Sequence, residues 1–525
     1  MSSKAFMLYL LNRFIGDIID MKKTLLTLLL LLITSGYALA ETNLREMFQN
    51  NESIIYSINL RTFNANDKND NGIIEFSHGE TSGSFINAID RLDELKDLGI
   101  NTIHVLPITP VGKIKALGTA GSLYAMSDLL SINPQLLDSN SELSPKEQVK
   151  LFVDECHKRD IKVIIDLPSC GAYDLFINRP EFFILDKDRE AYTPLDWVDV
   201  RVFNIANDEK LFSSDIFVLH KLFINSIIEL GFDGLRADVA TMKPYIFWKE
   251  LITHTRKMNP NFMFLAEASE AWTEPASEKA YFTDYKQLLE AGFDGYYGNY
   301  FELKNWKTID DLAKSVQNQQ KILKKYKEKK SVIGSFATHD VVSPLITGGE
   351  NFSKIIIWLN ATLPLNPYYV DGFLQADDYI YEYSNKKAAE TFTDDEYYYV
   401  HQGQIDIFNF SRKPGSDSKI LADEHKVAIN LRNKFKKEIT QGKFIPLKTK
   451  NNEIYAYQRL LNKKSVVVVI NRNLVNSNDV NIKIKGFNTK SKINYVKEPS
   501  SAKLIKSKLT GKLKPAEIII LTLEP

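Results

Sequence analysis

Cysteine is almost absent: the 525 residues carry two, Cys156 and Cys170. That excludes a disulfide scaffold and any metal site built from four thiolates. There is no His-Glu-x-x-His and no Cys-x-x-Cys, and the eight histidines are scattered, which argues against a zinc enzyme. Neither sign of charge is in excess, with 66 basic and 66 acidic side chains, so no polyelectrolyte signal points to nucleic acid. Internal repeats and low-complexity linkers are missing too. What remains is ordinary: 44% hydrophobic and 25% charged residues, a globular composition that excludes collagen-like, wholly disordered and multi-span membrane chains. The length fits two to four domains, or one large barrel with a small companion.

The zero net charge hides an asymmetry. From Lys436 to Pro525 there are 19 Lys and Arg against 6 Asp and Glu, while the rest of the chain holds 47 basic and 60 acidic residues. The basic tail reads as a separate unit with a solvated Lys-rich surface, or as one attracted to an acidic envelope surface. At the other end, residues 21–40 read MKKTLLTLLLLLITSGYALA. A basic start, an apolar run too short to span a bilayer comfortably and a small-x-small ending have the form of a secretory signal. Residues 1–20 carry Asp17 and Asp20 and fit no signal pattern, so they are expected to be an upstream mis-start, with translation from Met21 and a mature chain from Glu41. An uncleaved anchor from Met1 is the alternative. The expectation is an exported protein, periplasmic or secreted, with no stable membrane span after cleavage; the oligomeric state stays open.

Between these ends, short runs rich in Ile, Val, Leu and Phe alternate with helical stripes. Expected strands are Ile54–Leu60, Thr102–Ile108, Lys162–Leu167, Phe232–Ala237, Phe262–Ala266, Phe293–Tyr297, Ser331–Phe336 and Ile355–Leu359, each suited to burial on both faces. Phe85, Ile89, Leu92, Leu95 and Leu98 form one helical stripe, and Val149, Phe152, Val153 and Cys156 another. Ser144-Pro145-Lys146-Glu147 is a capping box with proline at the first helical position. The pattern predicts an α/β fold: a (β/α)8 TIM barrel with loop insertions over 41–435, the largest at about 168–214. Over 436–525 strands follow one another without helices, which predicts a small C-terminal antiparallel β-sandwich.

In such barrels chemistry sits at the C-terminal strand ends. Those ends carry Asp166, Arg236 with Asp238, Glu267, and His339 with Asp340. Converging carboxylates suit glycosidic cleavage, where one acid protonates the leaving oxygen and another carboxylate attacks or activates water. Any one of them is also explained as a helix cap or loop salt bridge. Arg236 lies two residues before Asp238 on a strand and so shares its face.

These segments are recognisable. Gly234-Leu-Arg236-Ala-Asp238, Leu265-Ala-Glu267, Phe336-Ala-Thr-His339-Asp340 and Gly121-Ser-Leu-Tyr124 resemble, in order, motifs of the α-amylase superfamily, glycoside hydrolase family 13. The resemblance covers about 41–525. It implies Asp238 as nucleophile, Glu267 as acid/base and Asp340 as transition-state stabiliser. Tyr124, Asp166, Arg236 and His339 would contact or position the sugar. It implies a retaining enzyme on α-1,4-linked glucans of starch or maltodextrin type, an oligo- or polysaccharide partner and no organic cofactor. A transglycosylase or isomerase with the same residues, or a barrel that binds carbohydrate without cutting it, are the competing readings. One motif departs from the family: Asp166-Leu-Pro168-Ser-Cys170-Gly171 has Cys170 where Asn commonly binds calcium and Gly171 where His commonly meets the sugar. Ala240 and Thr241 stand near a position where starch amylases have a basic pair.

A second metal candidate is the loop Asp67-Lys-Asn69-Asp-Asn71-Gly-Ile73-Ile-Glu75. Oxygen ligands at alternate positions around a glycine suit Ca2+, with Asp67, Asn69, Asn71, Ile73 and Glu75 as candidates. It reads equally as a plain Asx-rich surface turn. Of five tryptophans, Trp248 and Trp358 are expected in the core and Trp272 near the sugar; Tyr173 and Tyr368-Tyr369 are expected on loops near the mouth.

Overall fold

In the computed structural model the described residues are 42–66, 68, 74–116, 121–194, 197, 199–276, 278–341, 343–376, 419–486 and 492–524. The expected leader and Asp67, Asn69, Asn71 and Ile73 lie outside them.

Eight parallel strands build the barrel: β1 Ile55–Ile58, β2 Thr102–Val105, β3 Lys162–Leu167, β4 Gly234–Ala237, β5 Met263–Ala266, β6 Gly295–Tyr296, β7 Ser331–Val332 and β8 Tyr368–Val370. Their order is β8-β1-β2-β3-β4-β5-β6-β7. A parallel bridge between Ile333 and Asn366 joins β7 back to β8 and closes the ring. Side-chain parity sorts each strand. Ile164 of β3 and Met263 and Leu265 of β5 fall into one inner cluster with Ile55 and Ile333. Val163, Ile165, Leu167 and Phe264 face the surrounding helices. Both faces are therefore dry, which is why the strands read as continuous apolar runs.

The helices form where the sequence signals them. Pro145–Lys158 starts at the Ser144/Glu147 capping box and buries Val149, Phe152, Val153 and Cys156. The stripe from Phe85 to Leu98 is broken rather than continuous: Phe85–Ala88, a 3-10 turn Ile89–Arg91, then Leu92–Asp97. After β3 the chain leaves the barrel and pairs Cys170–Ala172 antiparallel with Val200–Val202, with helix Tyr173–Asn178 between them.

The eighth strand is a correction. Ile355–Leu359 is not a strand but lies inside the helix Pro344–Thr362, and β8 comes later, at Tyr368–Val370. Ile355, Ile356, Ile357, Trp358 and Leu359 are all buried. A helix enclosed on all sides loses its polar stripe, and a short apolar run then has no period to separate helix from strand. Tyr368 and Tyr369 are accordingly buried strand residues, not mouth loops.

Phe435, where the sequence reading puts the boundary, lies between helices Ile420–Lys434 and Lys436–Gln441. Beyond them come β9 Lys443–Pro446, β10 Ile454–Leu461, β11 Lys464–Asn471, β12 Asn478–Lys483, β13 Lys492–Lys497, β14 Lys503–Ile505, β15 Lys508–Leu513 and β16 Ile518–Glu524. They make an antiparallel five-stranded sheet, β9-β10-β11-β16-β13, and a three-stranded one, β12-β15-β14. Val467, Val469, Ile519 and Leu521 pack against Val480, Ile482, Leu509 and Leu513. Val466, Val468 and Ile520 turn the other way and join the barrel's outer core. Lys483, Lys503, Lys508 and Lys512 are exposed on the three-stranded sheet.

Candidate active site

Strand register brings the polar residues together. Asp166 on β3 pairs with Arg236 on β4, and Arg236 with Leu265 on β5. Two residues beyond these rows, Asp238 N–H donates to the Leu167 carbonyl and Glu267 N–H to that of Ala237, so the register persists past the strand ends. Inward parity places Asp166, Arg236, Asp238 and Glu267 on the lumen side of the mouth.

Arg236 is the hub, and its side chain is almost fully enclosed. Its Nη1 donates to both Asp166 oxygens at 2.9 Å and to Asp238 Oδ1 at 3.0 Å. Its Nη2 lies 2.8 Å from Glu267 Oε1. Nε donates to the Tyr297 hydroxyl at 3.0 Å. Tyr124 donates its hydroxyl proton to Asp166 Oδ2 at 2.9 Å, and the Tyr124 hydroxyl oxygen lies 2.7 Å from His339 Nε2. The Tyr124 and His339 rings stack, with centroids 5.8 Å apart and planes within 6°. Asp340 Oδ2 sits 3.5 Å from His339 Nε2. All seven of the non-metal residues expected at the site are therefore joined through Arg236 and Tyr124.

Their environments push the carboxyls apart. Burial raises Asp166, but Arg236 and His104 outweigh it and hold this carboxyl down at about 2. Burial raises Asp238; Arg236 opposes this and the Asp166 charge adds to it. Glu267 goes well above the ordinary range, by burial first, with Asp238 and Asp340 adding repulsion against the pull of Arg236. Asp340 is pushed up to about 7, by burial and then by the Asp238 and Asp166 charges. Burial and the Arg236 charge push the His339 imidazole well down, so it is neutral. One carboxyl of the cluster is thus firmly ionised and three are poised to hold or release protons.

Five participants escape the sequence reading. His104 on β2 comes within 3.5 Å of Asp166 and 3.0 Å of the Tyr368 hydroxyl, and Tyr297 follows β6. Inward parity along β2 and β6 is a signal for both. Val239 has φ 31°, a left-handed conformation rare for a β-branched residue. That twist aims its N–H at Glu267 Oε2, 2.6 Å away. Ser169 N–H donates to Asp238 Oδ2 at 3.0 Å, and Lys243 Nζ donates to Ser169. Nothing in the sequence pattern marks these last three.

The altered motif has a packing reason. A Cβ at Gly171 would meet the Phe183 ring at 2.7 Å, so two rings of the insertion, Phe183 and Phe203, fill the space a larger side chain would need. At Cys170 burial pushes the thiol up to about 12, which leaves a neutral sulfur. A hard cation wants oxygen ligands, so the residues here do not fit the calcium site of the family motif. No group of three or more His, Cys, Asp or Glu suited to a metal occurs among the described residues. In the other candidate loop, Glu75 Oε2 lies 3.3 Å from His78 Nδ1, and Glu75 N–H donates to the buried Glu80. Ala240 and Thr241 are buried. Tyr173 carries Lys115 Nζ 3.8 Å above its ring and donates to Glu190, tying the loop after β2 to the insertion.

No family model matches the chain. A cyclomaltodextrinase from a Bacillus species is 28% identical over 213 residues, 37% of this chain and 35% of that protein. An α-1,4-glucan:maltose-1-phosphate maltosyltransferase of Bifidobacterium animalis subsp. lactis is 26% identical over 214 residues, 38% of this chain and 28% of that protein. The chain thus spans about a third of the length of the curated relatives it matches. The structure of a maltogenic α-amylase from Thermotoga neapolitana superimposes with a TM-score of 0.64 at 19% identity, covering 92% of this chain and 99% of that one. The likeness in structure shows the fold, and the relatives in sequence agree with it: this chain's homologues and structural neighbours are enzymes of the α-amylase superfamily, glycoside hydrolase family 13.

Proposed function

We propose that the chain is a retaining α-glycoside hydrolase acting on α-1,4-linked glucans of starch or maltodextrin type. The observation that carries this is Arg236 holding the Asp238 and Glu267 carboxyl groups side by side, on one guanidinium, at the lumen mouth. Glu267, whose environment favours its protonated form, donates its proton to the leaving glycosidic oxygen. Asp238 attacks the anomeric carbon and forms a glycosyl ester while that C–O bond breaks. Water then attacks the same carbon, Glu267 takes its proton, and Asp238 leaves as carboxylate. Two displacements return the α configuration. Asp340 faces the charge that develops on the sugar ring, and the Tyr124–His339 stack forms a flat platform beside it.

The maltosyltransferase among the relatives favours a second reading, in which a sugar hydroxyl replaces water in the second step. Proton NMR of maltoheptaose with the protein separates the two. Shorter products appearing first as α-anomers are expected, and products longer than seven units would assign transfer. Asp238→Asn is expected to lower turnover roughly a thousandfold or more without unfolding. Products that appear first as β-anomers, or wild-type turnover in the variant, would overturn the reading. The leader sequence extends the proposal: the enzyme works outside the cytoplasm, and N-terminal sequencing of exported protein is expected to begin at Glu41.

A further inference from the structure

Lys243 is buried, at 2% exposure, and no carboxylate reaches it at salt-bridge distance among the described residues. Its ammonium sits among the rings of Phe203, Phe247 and Trp248, 5.8 to 6.0 Å from their centroids. A buried cation away from water is costly unless its donors are used. Here Nζ donates to the carbonyl of Ser169 at 3.1 Å and to its hydroxyl at 2.9 Å. Ser169 passes this on in two directions. Its N–H donates to Asp238 Oδ2 at 3.0 Å, and its hydroxyl donates to the Asp238 carbonyl. The turn after β3, where the family motif is altered, is thereby clamped to the carboxylate on β4. The loop carrying Lys243 is itself fixed: Thr283 donates its hydroxyl to the Lys243 carbonyl at 2.7 Å, and Trp248 Nε1 donates to the Ala240 carbonyl at 2.8 Å.

We propose that Lys243 is a positioning residue for Asp238, an internal cation that fixes the carboxylate through Ser169. The proposal rests on Asp238 being the nucleophile. The groups facing Asp238 are Arg236 on β4, Asp166 on β3, Cys170 beyond it, Tyr124 on the loop after β2, Glu267 after β5 and Asp340 after β7. Those facing Lys243 are Cys170 beyond β3 and His220 on the helix Asp215–Glu229. His220 and Cys170 are held neutral by burial, so Lys243 is the unmatched charge on this side of the nucleophile. Burial brings Lys243 itself down to about 8, which leaves it protonated over the acid and neutral range.

The test is the protonation of Asp238, read directly. Aspartate labelled with 13C at the side-chain carboxyl is followed by NMR against pH, with the Asp238 signal assigned by its loss in Asp238→Asn. In Lys243→Met its midpoint is expected to rise by about one pH unit. The acidic limb of kcat/KM on maltoheptaose should move with it, kcat falling and KM changing less than about twofold. A folded Lys243→Met in which Asp238 titrates at the wild-type midpoint overturns the proposal, and so does a lowered melting temperature with an unmoved acidic limb. If Lys243→Met does not fold, Ser169→Ala carries the test. It keeps the cation and the N–H to Oδ2 but removes the hydroxyl link, and kcat is expected to fall about tenfold with the acidic limb shifted upward. An unchanged limb and kcat in that variant overturn the proposal. Should the wild type not cleave maltoheptaose while the Asp238 midpoint still moves, the proposed function fails and the role of Lys243 stands.

Discussion

Asp340 is the residue of the cluster with the least compensation. Arg236 reaches Asp166, Asp238 and Glu267 directly but touches Asp340 only through the field. Its carboxyl is pushed up to about 7 against an ordinary 3.8, so the folded state holds a proton there that the unfolded chain releases. Stability therefore falls as pH rises from about 4 through 7. Asp340→Asn is expected to melt about one to three degrees above wild type at pH 8, with the difference gone near pH 4. The gain is small because 32% of the side chain still meets solvent, which screens the charge. Melting curves from pH 4 to 8 check this; a pH-independent difference would assign it to packing instead. At this scale the sequence was most informative where a residue sits on a strand of known parity. Asp166, Arg236, Asp238 and Glu267 were read off the strand ends, and parity put Arg236 and Asp238 on one face. Ser169, Val239 and Lys243 did not, because their roles come from a turn geometry and from a loop folding back 74 residues away in sequence.

At the scale of elements, the legible ones are those with one wet face or a strong cap. Helix Pro145–Lys158 was readable from its capping box and its four buried apolar positions. Helix Pro344–Thr362 was not, because neighbours cover its second half, Ile355 to Thr362, all round, and β8 was hidden behind it in a segment of three residues. Strands β9, β13, β14 and β15 carry a weak pattern for the opposite reason: apart from Phe444, Ile445, Leu509 and Leu513 their side chains are largely exposed or half-buried, leaving few apolar positions to count. The loop 67–75 is the element on which the two readings of the sequence still compete. With Ca2+ bound there, excess chelator should lower the melting temperature by the linked binding energy. An unchanged melting curve assigns the loop as a plain Asx-rich turn. Glu80, buried, accepts the N–H groups of Lys68 and Glu75 and so ties these two residues together.

For the whole molecule, barrel and C-terminal sheets share one core. Val466, Val468 and Ile520 belong to the same apolar cluster as Trp358 and Ile429. Thr362 and Tyr457 join hydroxyls across the junction at 2.6 Å, and Tyr455 donates to the Trp306 carbonyl at 2.8 Å. Buried Arg432 donates to the carbonyls of Ala361, Leu363 and Leu365, capping the C-terminal end of helix Pro344–Thr362. Calorimetry is therefore expected to show a single unfolding transition. Two resolved peaks would mean that the junction is weaker than its burial suggests. The change from alternating to all-strand pattern announced two architectures in the sequence, but not that they would be fused through a helix belonging to both. The lysines of the three-stranded sheet add a consequence of a different kind. The chain is neutral by count, with an isoelectric point near 7.1, yet its last 90 residues are strongly basic and the remainder acidic. Such a molecule is an electric dipole, able to adhere to both cation- and anion-exchange resins at the pH where it carries no net charge. Head-to-tail attraction between copies is therefore expected at low ionic strength and is expected to vanish at about 0.15 M salt, where fields decay over about 8 Å; light scattering against salt concentration checks it.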